Sequence, residues 1–314
     1  MPNPTAFFEG KFVPLAEANV NIMTHAFNYG TAVFEGVRGN WNADQGELYL
    51  FKVRDHVRRI RQSAKIMRMD GITYSEDEMC GILLEAVARN GYQEDVYVRP
   101  MIYKSSEVVG VRMHNLEDQF LVFVTPFGAY LDPEAGARCA TSSWRRIDDT
   151  MIPARAKVNG LYVNNAMAKT EAQLNGFDEA IMLNEDGHVS EGSGENIVMI
   201  RHGVLITPPP SDNILEGITL ETALYMAERE FGLRVERRSI DRSELYIADE
   251  VFMTGTAAHV TPVVEIDRVP VGDGRPGVVS KQIQDLYFQA ITGRLPQYAE
   301  WLTPVYQGSQ VATS

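Results

Sequence analysis

Four stretches of this sequence set small, polar and charged residues beside apolar runs, and they hold the side chains that could do chemistry. Residues 24–38 carry Tyr29, Phe34, Gly36 and Arg38. Residues 153–162 carry Lys157 and Tyr162, with Ala154, Ala156 and Val158 around the lysine. Residues 190–196 place Glu191 ahead of Gly-Ser-Gly and are followed by residues 215–219. Residues 253–258 contain Thr256, Ala257 and Ala258. A lysine that reacts as an amine must be neutral part of the time, which burial or a neighbouring cation achieves. Lys157 has small, apolar neighbours, whereas Lys169, in Ala-Lys-Thr-Glu-Ala, reads as an ordinary surface lysine. Gly217-Ile218-Thr219 directly precedes a helical pattern of Leu220, Ala223, Leu224 and Ala227. Its backbone N–H groups therefore form a helix start, which binds anions through free donors and the dipole. Arg99, in Val-Tyr-Val-Arg-Pro, offers a guanidinium fork for a carboxylate on a stem that tolerates apolar neighbours. The same arginine could instead guard a strand edge, the lesser of its two readings, and Glu191 read alone is equally a turn acid.

The common chemical signatures are missing. The sequence has no P-loop, no H-E-x-x-H and no G-x-S-x-G elbow. Gly192-Ser193-Gly194 starts like a dinucleotide fingerprint, but Ile197 stands where the third glycine is required. His25, His56, His114, His188, His202 and His259 are scattered without ligand spacing, so no metal is expected.

The elements that must position these residues can be read from periodicity. Residues 48–51 form an apolar strand, and Val57, Ile60, Ala64 and Met67 mark one face of a helix. A second helix runs from Ser75 as N-cap to Asn90-Gly91 as C-cap. Strands follow at residues 96–103 and 120–125. Residues 126–133, rich in turn formers and aromatics and bounded by prolines, read as a linker. Beyond it come strands at 180–183, 196–200, 204–207 and 250–253, and helices at 161–175 and 219–231, each followed by glycine. The alternation is not regular βαβα, so α+β is expected. The length of 314 residues predicts two domains, taken as 1–125 and 138–314 joined by a linker over 126–137.

Composition narrows the class. Hydrophobic residues at 45% and charged residues at 23% exclude disorder, collagen-like repeats and a disulfide scaffold. A net charge of −13 argues against nucleic acid as a partner, while leaving room for a local basic pocket. Cys80 and Cys139 have no paired spacing and read as small buried residues in a reducing compartment. The opening Met-Pro-Asn-Pro-Thr has neither the basic start nor the apolar core of a signal peptide, and no apolar run is long enough to span a bilayer. A cytoplasmic protein without membrane contact is expected.

The four stretches, in their order and from about residue 6 to residue 302, are similar to the branched-chain amino acid aminotransferases, pyridoxal-phosphate enzymes of fold type IV. Glu-Gly-Ser-Gly-Glu-Asn with the later Gly-Ile-Thr is the most specific part of the resemblance. The resemblance implies two α/β domains with the cofactor in the cleft between them. It implies that Lys157 is the catalytic lysine, in a covalent Schiff base with pyridoxal 5'-phosphate. Glu191 would pair with the pyridinium nitrogen and Tyr162 with the ring oxygen. Gly217, Ile218, Thr219, Thr256 and Arg59 would cradle the phosphate; the family register His-Val-Arg-Arg-Ile selects Arg59 over Arg58 and Arg61.

For the substrate, the resemblance gives apolar walls to Tyr29, Phe34, Phe127 and Tyr130. It gives a second carboxylate to Arg99 with help from tyrosine hydroxyls such as Tyr97, and the α-carboxylate to the backbone of Thr256, Ala257 and Ala258. Gly36, Arg38, Tyr97 and Arg99 look like the branched-chain set, against D-amino acid transaminase, (R)-amine transaminase and aminodeoxychorismate lyase of the same fold. A dimer that kept the fold without the cofactor is the rival from another class, and intact Lys157, Glu191, Tyr162 and Arg59 speak against it. Phe127 stands where relatives often carry tryptophan, so the wall is smaller. The implied reaction is ping-pong transamination between leucine, isoleucine or valine and 2-oxoglutarate. The implied assembly is a homodimer, or a higher form such as a dimer of trimers, with residues 104–115 reaching the neighbouring subunit.

Overall fold

The computed structural model describes residues 4–128, 130–132 and 134–306. Met1, Pro2 and Asn3 of the opening stretch, Ala129 and Pro133 of the turn-rich segment, and residues 307–314 lie outside the described residues. The residues form two compact units: Met1–Gly128 with Ala156–Gly160 and Gln289–Ser314, and Ala129–Arg155 with Leu161–Phe288.

The first unit is built on one sheet. Its strands are β1 (Thr5–Phe8), β2 (Lys11–Pro14), β3 (Ala32–Phe34), β4 (Val37–Asn42), β5 (Glu47–Phe51), β6 (Val96–Lys104) and β7 (Asp118–Pro126), with helices α1 (His25–Tyr29), α2 (Val53–Ile66) and α3 (Glu76–Asn90). Leu302–Pro304 pairs with β5, and the order continues β4, β6, β7, β1, β2, with β3 also on β6. On α2, Val57, Ile60 and Ala64 are buried as their spacing predicts. Met67 only caps the helix, and buried Met69 follows it. Ser75 caps α3 in a reciprocal box with Glu78, and Gly91 ends it in the left-handed region at φ 65. Such a cap stabilises a helix by about 1 kcal/mol.

The second unit has a mixed sheet in the order β10 (Val189–Gly192), β9 (Glu179–Leu183), β8 (Ala137–Thr141), β15 (His259–Ile266), β14 (Glu250–Gly255), β11 (Asn196–Arg201), β12 (Val204–Thr207), β13 (Arg234–Arg237), with β16 (Val269–Pro270) on β15. The helices are α4 (Tyr162–Leu174), α5 (Ile218–Phe231) and α6 (Val278–Ile291), the last running on into residues of the first unit. Cys139, Ile181, Ile197, Met199, Val251, Met253 and Val263 make one buried cluster. Ala168 and Ala172 of α4 meet Ala180 and Met182 of β9 in another. Cys139 is thus buried as expected, but Cys80 is only half-buried, because it lies at the side of α3, flanked by buried Met79. Among the described residues no helix is long and apolar enough to cross a membrane.

Candidate active site

In the first unit, a proline in β6 shapes the site. β3 pairs with Met101, Ile102 and Tyr103, and β4 with Val96, Tyr97 and Val98, on the same side of β6. Between them the Pro100 carbonyl accepts Glu35 N–H at 2.9 Å, but Pro100 has no N–H to return. The ladder lapses there, and Glu35 is fully buried. Its carboxylate accepts a fork from Arg59, Nε to Oε1 at 2.5 Å and Nη2 to Oε2 at 2.9 Å. His56 Nδ1 lies 2.7 Å from Oε2. Burial alone would raise the Glu35 carboxyl, but Arg59 and His56 outweigh it and hold it far below the usual range. Burial pushes His56 down, against the opposing pull of Glu35. Arg59 is therefore aimed by a buried anion.

Lys157 is docked along the same lapse. Val158 bridges Val33, Phe34 N–H donates to the Lys157 carbonyl at 3.0 Å, and Lys157 N–H donates to Ser63 Oγ of α2 at 3.1 Å. Ala154, Ala156 and Val158 are buried, as their apolar character predicts. Lys157 Nζ is 5.1 Å from the centre of the Phe34 ring, and the Arg99 guanidinium carbon is 4.3 Å from it. Arg99 also donates from Nη2 to the Tyr97 hydroxyl at 3.2 Å, while its Nε is buried with no hydrogen-bond partner among the described residues. Gly36 packs under the Tyr97 hydroxyl.

Tyr97 and Phe127 have ring centres 5.2 Å apart. Arg38 is buried 5.0 Å from the Phe127 ring and donates to the Gly128 carbonyl at 3.0 Å. Tyr29 accepts Gly110 N–H at 3.0 Å, and His25 holds the Gly110 carbonyl at 2.7 Å. Within its own chain, then, the 104–115 loop is tied to α1.

In the second unit, Glu191 is the next-to-last residue of β10, and both its carboxylate oxygens are held. Arg146 Nη2 is 2.7 Å from Oε1, and Oε2 accepts Asn196 Nδ2 and Leu215 N–H, both at 2.9 Å. Arg146 is itself fixed by the Asn213 carbonyl at 3.1 Å and Asn165 Oδ1 at 2.7 Å, and Asn165 donates to the Ser193 carbonyl at 2.7 Å. Donors on both oxygens fix the carboxylate in place. Gly217 is the N-cap of α5 and no side chain caps the helix; a Cβ at Gly217 would overlap the Asn196 amide oxygen. Ile218 and Thr219 form the first turn of α5. Thr256, Ala257 and Ala258 make the turn from β14 to β15, beside Thr254, whose buried hydroxyl has no hydrogen-bond partner among the described residues. Tyr162 opens α4, half-buried. Tyr130 is exposed, its ring 4.8 Å from Lys169 Nζ.

The first unit thus gathers Phe34, Gly36, Arg59, Tyr97, Arg99 and Lys157, and the second gathers Glu191 and the α5 start around Asn196. Sequence reading gave no role to Glu35, His56, Arg146 or Asn196. Glu35 and Asn196 lie inside the segments singled out, and His56 begins the register that selected Arg59; Arg146, in Trp-Arg-Arg-Ile, carries no local signal. Lys169 is a correction: it is mostly buried, 2.5 Å from Glu179 Oε2, because α4 packs its apolar side on β9 and brings the lysine over a buried carboxylate.

A sequence profile of the amino-transferase class IV family matches residues 32–266. The chain is 48% identical over 301 residues to a protein of Aquifex aeolicus (strain VF5) named probable branched-chain-amino-acid aminotransferase, covering 96% of each. Among solved structures it is similar to the branched-chain aminotransferase of the thermophilic archaeon Thermoproteus uzoniensis with norvaline. That match has a TM-score of 0.92 and 43% identity, over 96% of this chain and 99% of the other. A branched-chain amino acid aminotransferase from Thermobaculum terrenum, in its PLP-form, matches with a TM-score of 0.92 and 37% identity over 97% of this chain and 99% of that one.

Proposed function

The chain belongs to the class IV aminotransferases, and we propose that its substrates are the branched-chain L-amino acids. It passes the amino group of leucine, isoleucine or valine to 2-oxoglutarate, giving branched 2-keto acids and L-glutamate. Its cofactor is pyridoxal phosphate. The residues fit that group: α5 starts without a side-chain cap at a glycine whose missing Cβ leaves no overlap with Asn196, and the buried Thr254 hydroxyl has a hydrogen bond to give.

One arrangement carries the substrate reading: the Phe34 ring has an amine 5.1 Å from its centre and a guanidinium 4.3 Å from it. An apolar surface so flanked accepts an aliphatic side chain in one half-reaction and a carboxylate in the other. Pyridoxal phosphate, when bound, supplies an aldehyde that captures amines and a ring that absorbs negative charge from the substrate Cα.

The chain does the rest. Lys157 anchors the cofactor and, as a free amine, takes and returns the Cα proton. Glu191, fixed by Arg146, Asn196 and Leu215 N–H, would accept a hydrogen bond from the ring nitrogen, and Tyr162 would give one to the ring oxygen. The amides of Gly217, Ile218 and Thr219, with Thr256, would hold the phosphate from the second unit, and Arg59 is the first unit's candidate for the same group. The backbone of Thr256, Ala257 and Ala258 holds the α-carboxylate. Arg99 with Tyr97 binds glutamate's second carboxylate, and Tyr29, Phe34, Gly36, Arg38, Phe127 and Tyr130 shape the pocket for the side chain.

A second copy of the chain completes the enzyme in this reading, as a homodimer or a multiple of it. Ile22, Phe27, Val109 and Val111, exposed at 78%, 68%, 80% and 83% on or beside α1 and the 104–115 loop, support an interface there. Free Cys80 and Cys139 suit a reducing cytoplasm.

The test is an absorbance spectrum of the purified protein during separate additions of L-leucine, D-alanine and (R)-1-phenylethylamine. Loss of the cofactor's visible band with L-leucine alone is expected; a response only to the D-acid or the amine would overturn the substrate class. Lys157→Ala should fold, bind the cofactor without the imine band and turn over no leucine. A variant still active on leucine would remove Lys157 from its role.

A further inference from the structure

Behind the Glu191 turn lies a second carboxylate that the reaction does not call upon. Glu195 follows Gly192-Ser193-Gly194 and is buried. Its carbonyl accepts Gly192 N–H at 2.6 Å, and its own Oε2 accepts Gly194 N–H at 3.1 Å. One residue thus closes the turn with both main chain and side chain. A Cβ on Gly192 would stand 2.9 Å from Glu195 Oε2, so the carboxyl occupies the space the glycine leaves. Gly255, just before Thr256, lies equally close: a Cβ there would be 3.2 Å from the Gly194 carbonyl and 3.4 Å from Glu195 Cγ.

The charges around Glu195 decide its form. Glu179, which is also buried, is the main charge acting on it and, after burial itself, pushes its carboxyl up. Lys169 Nζ, from α4, lies 2.5 Å from Glu179 Oε2 and donates to the Asp178 carbonyl at 2.8 Å. Glu179 Oε1 accepts Ala180 N–H at 2.7 Å. Tyr130 and, from β8, Cys139 are other titratable groups that feel the two carboxyls, which, after burial, push both of them up. One lysine balances one carboxylate. A second buried anion in contact with the first would be uncompensated and would repel it, so the pair retains a proton. An ionised Glu195 could only accept hydrogen bonds, whereas an acid accepts Gly194 N–H and donates to Glu179, which is what its neighbours require. In line with this, burial first and Glu179 second push the Glu195 carboxyl well above the usual range.

We propose that Glu195, as the hydrogen-bond donor to Glu179, is a positioning residue that fixes two cofactor-side turns: residues 192–194 beside Glu191, and residues 255–258. The inference rests on the cofactor roles given above to Glu191 and Thr256.

The test compares wild type, Glu195→Gln and Glu195→Ala as full-length proteins. Pyridoxal phosphate affinity is read by absorbance titration of each apoenzyme, and denaturant stability of the apoenzymes is followed across pH. Glutamine keeps a donor and an acceptor, so Glu195→Gln should bind the cofactor within about threefold of wild type, while Glu195→Ala should lose at least tenfold. A carboxyl raised above its unfolded value of 4.5 holds a proton in the fold that the unfolded chain releases. Wild-type stability should therefore fall as pH rises above 5, its unfolding constant growing up to tenfold more per pH unit than that of Glu195→Gln.

Equal losses of affinity in Glu195→Gln and Glu195→Ala would show that an anion is needed and overturn the proposal. An alanine variant with wild-type affinity would reduce Glu195 to a structural role and do the same. If Glu195→Ala does not fold, the glutamine variant decides: matching pH slopes in it and in wild type refute the shared proton. Failure of the wild type itself to bind pyridoxal phosphate would fall on the functional reading, since the pH comparison uses apoenzyme alone.

Discussion

Replacing Glu35 by glutamine tests whether a buried anion aims Arg59. The wild-type carboxylate is fully buried and takes two Arg59 contacts, at 2.5 and 2.9 Å, and one from His56 at 2.7 Å. Glu35→Gln keeps the shape but removes the Glu35 charge from the Arg59 guanidinium, itself largely buried. Removing one partner of such a pair costs about 3–5 kcal/mol, a large share of the roughly 5–15 kcal/mol that holds a domain folded. For a unit of this size that is a fall in Tm of about 6–20 °C.

Because Arg59 is also assigned to the phosphate, cofactor affinity should drop in parallel. The pH dependence gives a separate check. Glu35 is held below its ordinary value of 4.5, so its contribution is fully present above that pH and is lost as pH falls toward the native-state value. The stability gap between wild type and Glu35→Gln, measured by urea unfolding from pH 7.5 to 3.5, should stay constant down to about pH 4.5 and then narrow. A Tm change under about 2 °C with unaltered cofactor affinity would refute this account, and a gap that widens in acid would show the sign to be wrong.

Three other outcomes follow from the geometry. Arg99→Ala should lower kcat/KM for glutamate and 2-oxoglutarate by roughly 10- to 150-fold, the 1.5–3 kcal/mol of a charged hydrogen bond, and leave leucine within a few-fold. Equal losses for both substrates would make Arg99 structural. Arg146→Met takes the guanidinium charge away from buried Glu191 and should cost about 3–5 kcal/mol in denaturant unfolding, together with at least a tenfold loss of cofactor affinity; a cost below about 1 kcal/mol contradicts its place in the site. Gly217→Ala must displace the Asn196 amide that steadies Glu191, so pyridoxal phosphate should bind at least tenfold more weakly by titration, and unchanged affinity would mean the α5 start does not hold the phosphate.

Elements with strong local signals were legible in the sequence. α3 announced itself through the Ser75 box and Gly91, α5 through its apolar spacing and Gly232, and the apolar strands β5, β9, β11 and β12 through runs of β-formers. β15 was not seen, because Pro262 interrupts it; nor was β10, whose buried Val-Ser-Glu-Gly looks like a turn. Their place in the sheet comes from pairing with distant strands, which no local window reports. The site divides the same way. Lys157, Glu191 and the α5 start lie in segments whose composition drew notice. Arg146 and the Glu35–His56–Arg59 cluster depend on side chains meeting from separate elements. Lys169 was misread for that reason: its partner Glu179 lies ten residues on, on a strand that must first dock against α4.

The strand at Leu302–Pro304 and the segment Ala156–Gly160 both belong to the first unit, and this has a consequence for synthesis. A ribosome releases the chain from its N-terminus, at about 5–20 residues per second. The first 128 residues therefore emerge with β5 lacking its outer neighbour and Val33 lacking Val158. The unit cannot close until the last strand is out, some ten seconds or more later. Until then β5 is an open edge prone to foreign pairing. Nascent chains stalled before residue 302 should be cut readily by protease within the first unit, and completed chains should resist; early protection would mean that the edge closes without its final strand.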